Sequence, residues 1–134
     1  MADETIDILQ RVPLLSKLDF YDVKKVAEAM KPRTFRAGKA AVEEGQGGAG
    51  FFIVLSGTAT VSVAGAEVNR IGPGDYFGEV ALLSGEGVRT ATISPETDLE
   101  CLGMASWEFK AFLSEHPDIS WTILQTMAAR LPPS

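Results

Sequence analysis

The sequence predicts an α+β fold: an antiparallel β-barrel of the jelly-roll type flanked by N-terminal and C-terminal helices, with one short helical turn inside the β-rich part. Three observations predict it. Apolar residues recur at three- and four-residue steps before Pro32 and again after Ser106, as amphipathic helices require. Between those zones the apolar runs are short and rich in β-formers, at Phe51 to Leu55, Thr58 to Val63, Thr90 to Ser94 and Leu99 to Met104. Glycine is dense in the same stretch, from Gly38 through Gly78, and turns that fall roughly every ten residues suit a small barrel or β-roll.

The helical segment, about residues 3–32, opens with Ile6, Leu9 and Gln10 and should break at Val12-Pro13, because proline removes a helix hydrogen bond and clashes with the preceding turn. Leu14, Leu15 and Leu18 then form an apolar connector. Asp19 is the candidate N-cap of a second helix, in which Val23, Val26, Ala27 and Met30 share a face and Asp22, Lys24, Lys25 and Glu28 face away. Pro32 is expected to close it. In the β-roll, about residues 33–104, Val61, Val63, Val68 and Ile71 suggest a hairpin turning at Ala64-Gly65, with Gly65 free to take positive φ. The C-terminal helices, about residues 106–131, start with Ser106 as a cap and carry Trp107, Phe109, Phe112 and Leu113. Glu115-His116-Pro117-Asp118 breaks the first, and Ile119, Ile123, Leu124, Met127 and Leu131 continue in the second until Pro132-Pro133. No repeat or flexible linker divides the 134 residues, so a single domain over residues 1–134 is expected.

Composition narrows the function. Apolar residues make up 46% and charged residues 22%, an ordinary globular balance. The apolar stretch from Ala49 to Ala66 is interrupted by Gly and Ser/Thr and alternates like strands, so no membrane span is expected. The N-terminus is acidic and lacks the basic and apolar regions of a signal peptide, which makes a cytoplasmic location the expectation. Cys101 is the single cysteine and sits in an apolar run, where it reads as a small buried hydrophobe. A net charge of −6 disfavours nucleic acid as a partner. It would also repel a small anion, so any phosphate site must create its own positive potential.

The most informative segment is Gly72-Pro73-Gly74-Asp75-Tyr76-Phe77-Gly78-Glu79-Val80-Ala81-Leu82-Leu83, followed by Arg89-Thr90-Ala91-Thr92. A strand ending at Ile71 meets a Gly/Pro turn, and Gly78 opens a helical turn where a ligand can approach the backbone closely. The amides of Glu79, Val80 and Ala81 would be the unpaired donors of a helix N-terminus, a natural receptor for an anion. Arg89 can add a planar, permanently charged fork for two phosphate oxygens. Glu79 cannot favour a phosphate, but it can accept a hydrogen bond from a sugar hydroxyl. Together these residues read as a site for a phosphate attached to a sugar.

Phe77-Gly78-Glu79-Val80-Ala81-Leu82-Leu83 with Arg89-Thr90-Ala91-Thr92 resembles the phosphate-binding cassette of the cyclic-nucleotide-binding domain family, whose members include the catabolite activator protein, protein kinase A regulatory subunits and cyclic-nucleotide-gated channels. The likeness extends to Pro13-Leu14-Leu15-Ser16-Lys17-Leu18, to Phe51-Phe52-Ile53-Val54-Leu55-Ser56-Gly57 and to Glu115-His116-Pro117-Asp118, in the family's order. The resemblance implies that Glu79 binds the ribose 2′-hydroxyl and that the backbone of Gly78, Val80 and Ala81 cradles the cyclic phosphate. It implies that Arg89 pairs with that phosphate, that Thr90 adds a hydroxyl near phosphate and base, and that Ala91 contributes an amide. Arg130 falls where some bacterial members place an arginine over the base. The loop between Glu79 and Arg89 is one residue longer than in many members, and Val88 replaces the usual proline. Cyclic AMP (cAMP) is the expected ligand, with cyclic GMP (cGMP) the alternative, because a hydroxyl at Thr90 favours guanine in some members.

Other functions fit less well. A metal-dependent barrel enzyme of the cupin type needs clustered histidines, and His116 is the single one, so a non-enzyme is expected. Haem and iron–sulfur sensing lack ligands for the same reason. An interaction module that has kept the fold and lost the ligand is the remaining alternative, opposed by the presence of Gly78, Glu79 and Arg89 together. No helix-turn-helix follows the last helix before Ser134, so the expected partner of a sensor is an effector protein or a fused effector domain.

Overall fold

The computed structural model describes residues 2–45, 50–78 and 91–129. Helix α1 (Ala2–Gln10) buries Ile6 and Leu9 and ends ahead of Pro13, which instead starts a one-turn 3-10 helix at Pro13–Leu15. Helix α2 (Phe20–Ala29) is capped by Asp19, whose carboxylate accepts from the Asp22 amide at 2.9 Å. Its Val23 and Val26 are buried, as is Met30 just beyond it.

Pro32 does not close this helix. The helix stops at Ala29, Met30 is already extended, and Pro32 lies inside strand β1 (Lys31–Phe35). A residue preceding proline avoids the helical region, so the chain must be extended by Lys31. Strand β1 is an edge strand, where a missing N–H is tolerated.

Strands β2 (Gly50–Ser56), β3 (Ala59–Val63), β4 (Ala66–Ile71), β5 (Tyr76–Phe77), β6 (Thr92–Pro95) and β7 (Leu99–Ala105) complete the β-rich part. They form two antiparallel sheets, one ordered β1-β7-β2-β5 and the other β4-β3-β6. The jelly-roll arrangement is as expected, but among the described residues the sheets do not close into a continuous barrel. The β2–β3, β4–β5 and β6–β7 turns hand the chain from one sheet to the other, whereas β3 and β4 are neighbours in one sheet; a double-sheet roll manages its edges without full closure. A bridge between Val42 and Ile93 extends the second sheet beyond β6.

Burial explains why β2 and β7 read as nearly continuous apolar runs. In a strand, alternate side chains face opposite sides, and the four-stranded sheet is covered on both. Phe51, Ile53, Leu102 and Met104 cluster with Val12 of the connector after α1 and with the helical residues Leu9, Val23, Phe109 and Ile119. Their neighbours Val54, Leu99 and Cys101 face the second sheet and cluster with its Ala59, Ile71 and Ile93 and with Phe77 of β5. Burial pushes the Cys101 thiol up to about 12, so it stays a neutral, unreactive hydrophobe near neutral pH.

The β3–β4 hairpin turns at Ala64-Gly65, between the paired residues Val63 and Ala66. Gly65 has φ 81° and Ala64 also takes a positive φ, 52°, the pattern of a type I′ turn. The hairpin suggested by Val61, Val63, Val68 and Ile71 is present, but its ladder is irregular. Val61 pairs with Asn69 but Ser62 with Glu67, so Val68 is the extra residue of a β-bulge and is 60% exposed. One inserted residue breaks the alternation of β4 relative to β3 at this point. Arg70 ties this edge to the β6–β7 turn with two hydrogen bonds to Glu96, at 2.7 and 2.8 Å, and the guanidinium holds the Glu96 carboxyl below its usual range.

Left-handed backbone is costly for an alanine and is tolerated by asparagine, the preferred residue before glycine in such turns. Ala64→Asn is therefore expected to stabilise the protein by about 0.5–1 kcal/mol. Urea unfolding checks this, and an unchanged or lower midpoint would contradict it.

The chain ends in helices α3 (Ser106–Glu115) and α4 (Pro117–Ala128). The N-cap of α3 is Ala105 rather than Ser106, which is the first helical residue; the Glu108 carboxylate accepts from the Ala105 amide at 3.0 Å. A glutamate three residues into a helix reaches back to the cap amide, and this sets the start one residue early. Phe109 stacks on Phe51 at 4.9 Å, so α3 lies against the outer face of β2. At the His116 break the Ser120 hydroxyl is shared between the carbonyls of Leu113 and His116, at 2.7 and 2.9 Å. Ile119 and Ile123 are buried, whereas Trp121 and Leu124 are exposed. No helix among the described residues is long and apolar enough to cross a membrane.

Candidate functional site

The segment singled out by its chemistry starts on a rigid frame. After β4 ends at Ile71, the turn Gly72 to Asp75 closes on itself: the Asp75 amide donates to the Gly72 carbonyl at 3.0 Å, and the Asp75 carboxylate accepts from the Gly72 amide at 2.9 Å. Two further bonds fasten the turn to β2, from the Gly74 amide to the Val54 carbonyl at 2.9 Å and from the Val54 amide to the Asp75 carbonyl at 2.8 Å. The Asp75 side chain thus serves the backbone of its own turn.

Strand β5 is only Tyr76 and Phe77, paired with Ile53 and Phe52 of β2. Two residues of ladder hold a strand weakly, and packing makes up the difference. Phe77 is 5% exposed, stacks on Phe52 at 5.3 Å and leans on Phe35 at 6.0 Å, while Phe35 meets Phe52 edge-on at 5.1 Å. Such ring pairs stabilise beyond their buried area. The Phe52 ring lies over Gly103, its register partner on β7, where a Cβ would come within 2.5 Å of the ring. A glycine on β7 thus seats the phenylalanine that seats Phe77.

Gly78 follows at φ 97°, a conformation that L side chains rarely adopt. The strand direction is broken at the residue where a close backbone approach is needed. Glu79, Val80, Ala81, Arg89 and Thr90 lie outside the described residues, as do Arg130 and the short cassette helix expected after Gly78. Of the candidate site residues, the structure places Gly78 and Ala91, both half-buried.

The far end of the segment is also fastened. Ala91 leads into β6, which pairs with β3 from Ser62↔Thr92 to Ala59↔Pro95. On its other side, residues 41–44 run alongside. The Ala41 amide donates to the Ile93 carbonyl at 2.8 Å and the Ile93 amide to the Val42 carbonyl at 3.0 Å, while the Glu44 amide donates to the Thr92 hydroxyl at 3.0 Å. The chain therefore leaves the four-stranded sheet at Gly78 and returns in the three-stranded sheet at Thr92.

Thr92, Glu44 and Phe52 were not legible from spacing as supports of this segment, since the bonds Thr92–Glu44 and Glu44–Ala64 span 48 and 20 positions and the Phe52–Phe77 stack spans 25. Among the described residues no group of three or more His, Cys, Asp or Glu is arranged to hold a metal ion. His116 packs against the Phe112 ring at 4.6 Å.

Comparison with known proteins agrees with this architecture. The sequence model of the cyclic nucleotide-binding domain matches residues 32–116. A cyclic nucleotide-gated potassium channel of Rhizobium etli is 32% identical over 123 residues, covering 92% of this chain and 34% of the channel. A cAMP-dependent protein kinase regulatory subunit of Eremothecium gossypii is 37% identical over 108 residues, covering 80% of this chain and 23% of the subunit. The chain thus spans about a third or less of these relatives' lengths. The solved regulatory domain of Toxoplasma gondii protein kinase A, crystallised with cAMP, superposes with a TM-score of 0.79 at 27% identity, covering 97% of this chain and 50% of that one.

Proposed function

The chain belongs to the cyclic nucleotide-binding domain family, and from that premise we propose that it binds cAMP, with cGMP the alternative, and transmits binding through movement of its C-terminal helix. The observation that carries this reading is the frame around the cassette: Gly78 at φ 97° on a strand end locked by Phe77, with Glu79 and Arg89 following in the family's order. Glu79 accepts from the ribose 2′-hydroxyl. The backbone of Gly78, Val80, Ala81 and Ala91 receives the cyclic phosphate, and Arg89 neutralises it. Thr90 lies by phosphate and base, and Arg130 over the base. In a chain of net charge −6, Arg89 and the oriented amides supply the local positive potential that an anionic ligand requires.

Output through the last helices is supported by their attachment. Helix α3 rests on β2 through Phe109 and Phe51, and the Ser120 hydroxyl holds α4 to the end of α3. A ligand that binds one arrangement of these helices better than another shifts their populations. The receiver of that movement is an effector protein or a fused effector domain. The reading is that of a cytoplasmic sensor rather than an enzyme.

Thermal unfolding with each nucleotide tests the binding. At a hundredfold excess over the dissociation constant, specific binding stabilises the native state by about 2.7 kcal/mol. For a chain of this size that corresponds to a rise in Tm on the order of 10 °C. A rise with cAMP exceeding that with cGMP supports the assignment. No rise with either would favour the interaction module that has lost its ligand.

A further inference from the structure

We propose that Thr92 is a positioning residue for nucleotide binding, held through its hydroxyl by Glu44; this rests on the functional reading above and adds a determinant to the same site. Thr92 is half-buried at the start of β6, directly after Ala91 and three positions after Arg89. Its β3-facing side is fixed by the ladder to Ser62. Its hydroxyl oxygen accepts the Glu44 amide at 3.0 Å, beside the two bonds that join Ala41 and Val42 to Ile93.

Glu44 is itself held at a second point, because its carboxylate accepts from the Ala64 amide in the β3–β4 turn at 2.8 Å. One residue therefore ties the cassette's return strand to the hairpin on the neighbouring strand pair. Without the Thr92 hydroxyl, the Glu44 amide loses its acceptor, and residues 41–44 stay joined to β6 through the Ala41–Ile93 and Val42–Ile93 bonds while Glu44 keeps its bond to Ala64. A binding residue placed a few tenths of an ångström wrongly loses much of its contact energy, and a short tether to a stiff strand prevents that displacement. The role is distinct from packing, because valine has nearly the shape of threonine and lacks only the acceptor.

The test is titration of the full chain with cAMP and cGMP by calorimetry for wild type, Thr92→Val, Thr92→Ser, Arg89→Ala and the double variant Arg89→Ala/Thr92→Val. Thr92→Val is expected to weaken cAMP binding five- to tenfold, and Thr92→Ser, which keeps the acceptor, to stay within twofold of wild type. In the Arg89→Ala background the same valine substitution is expected to have under half its effect in log units, since a group that acts by placing Arg89 matters little once Arg89 is gone. A merely structural contribution would weaken binding by the same factor in both backgrounds. Equal affinity of Thr92→Val and wild type, a loss in Thr92→Ser as large as in Thr92→Val, or the same factor in both backgrounds would each overturn the positioning role. A wild-type chain that binds neither nucleotide would overturn the functional reading and this role with it.

Discussion

Arg89→Ala is expected to weaken cAMP binding by at least tenfold. A hydrogen bond to a charged group contributes about 1.5–3 kcal/mol, and each 1.4 kcal/mol is a factor of ten. The overall charge of −6 pushes in the same direction, because the remaining protein repels the phosphate once its local counter-charge is removed. Arg89→Lys is expected to recover part of the loss, since lysine restores the charge but not the two-pronged geometry. Isothermal calorimetry measures both variants. Wild-type affinity in Arg89→Ala would remove Arg89 from the site.

Phe77→Ala is expected to be the most damaging substitution near the cassette, at about 3–5 kcal/mol of stability. The ring is buried against Phe52 and Phe35 at the start of the segment, and the strand that carries it is only two residues long. A loss of this size is a large share of the stability of a typical domain. Phe77→Leu keeps most of the apolar volume, so it is expected to fold and to bind cAMP more weakly than wild type, because the strand end before Gly78 is less firmly seated. Urea unfolding measures the first effect and calorimetry the second. A destabilisation below 1 kcal/mol in Phe77→Ala would show that the aromatic cluster does not anchor the strand.

Several local features followed directly from residue chemistry. Asp19 caps α2 because an aspartate ahead of an amphipathic run has amides to accept from. The Val12-Pro13 break, the His116 break and the two-residue hairpin loop at Ala64-Gly65 are equally local. Each depends on groups within four residues of one another, a range over which sequence spacing and spatial distance are nearly the same thing. Where two local rules competed, the outcome turned on one atom. Ser106 is a good cap, yet the Glu108 carboxylate makes Ala105 the N-cap and Ser106 the first helical residue of α3. Pro32 reads as a helix stop, yet the residue before it must already be extended, which places the proline within β1.

The bulge at Val68 marks the limit of such reading, because alternation along one strand says nothing about an extra residue relative to its partner. The apolar runs of β2 and β7 were legible as strands, but not that helices cover one face and a second sheet the other.

For the candidate site, the amino-acid sequence by itself determined the chemistry: a glycine at which the chain can turn, a carboxylate suited to a hydroxyl and an arginine suited to a phosphate, in an order that resembles one family. Only the tertiary structure decided what holds the two ends of that segment. Phe77 is seated by Phe52 over Gly103, and Thr92 is tethered by Glu44, which also reaches Ala64. The physical reason is contact order. These partners are separated by tens of residues and are brought together by the crossing of the chain between two sheets, so no spacing rule reveals them until the strands are paired.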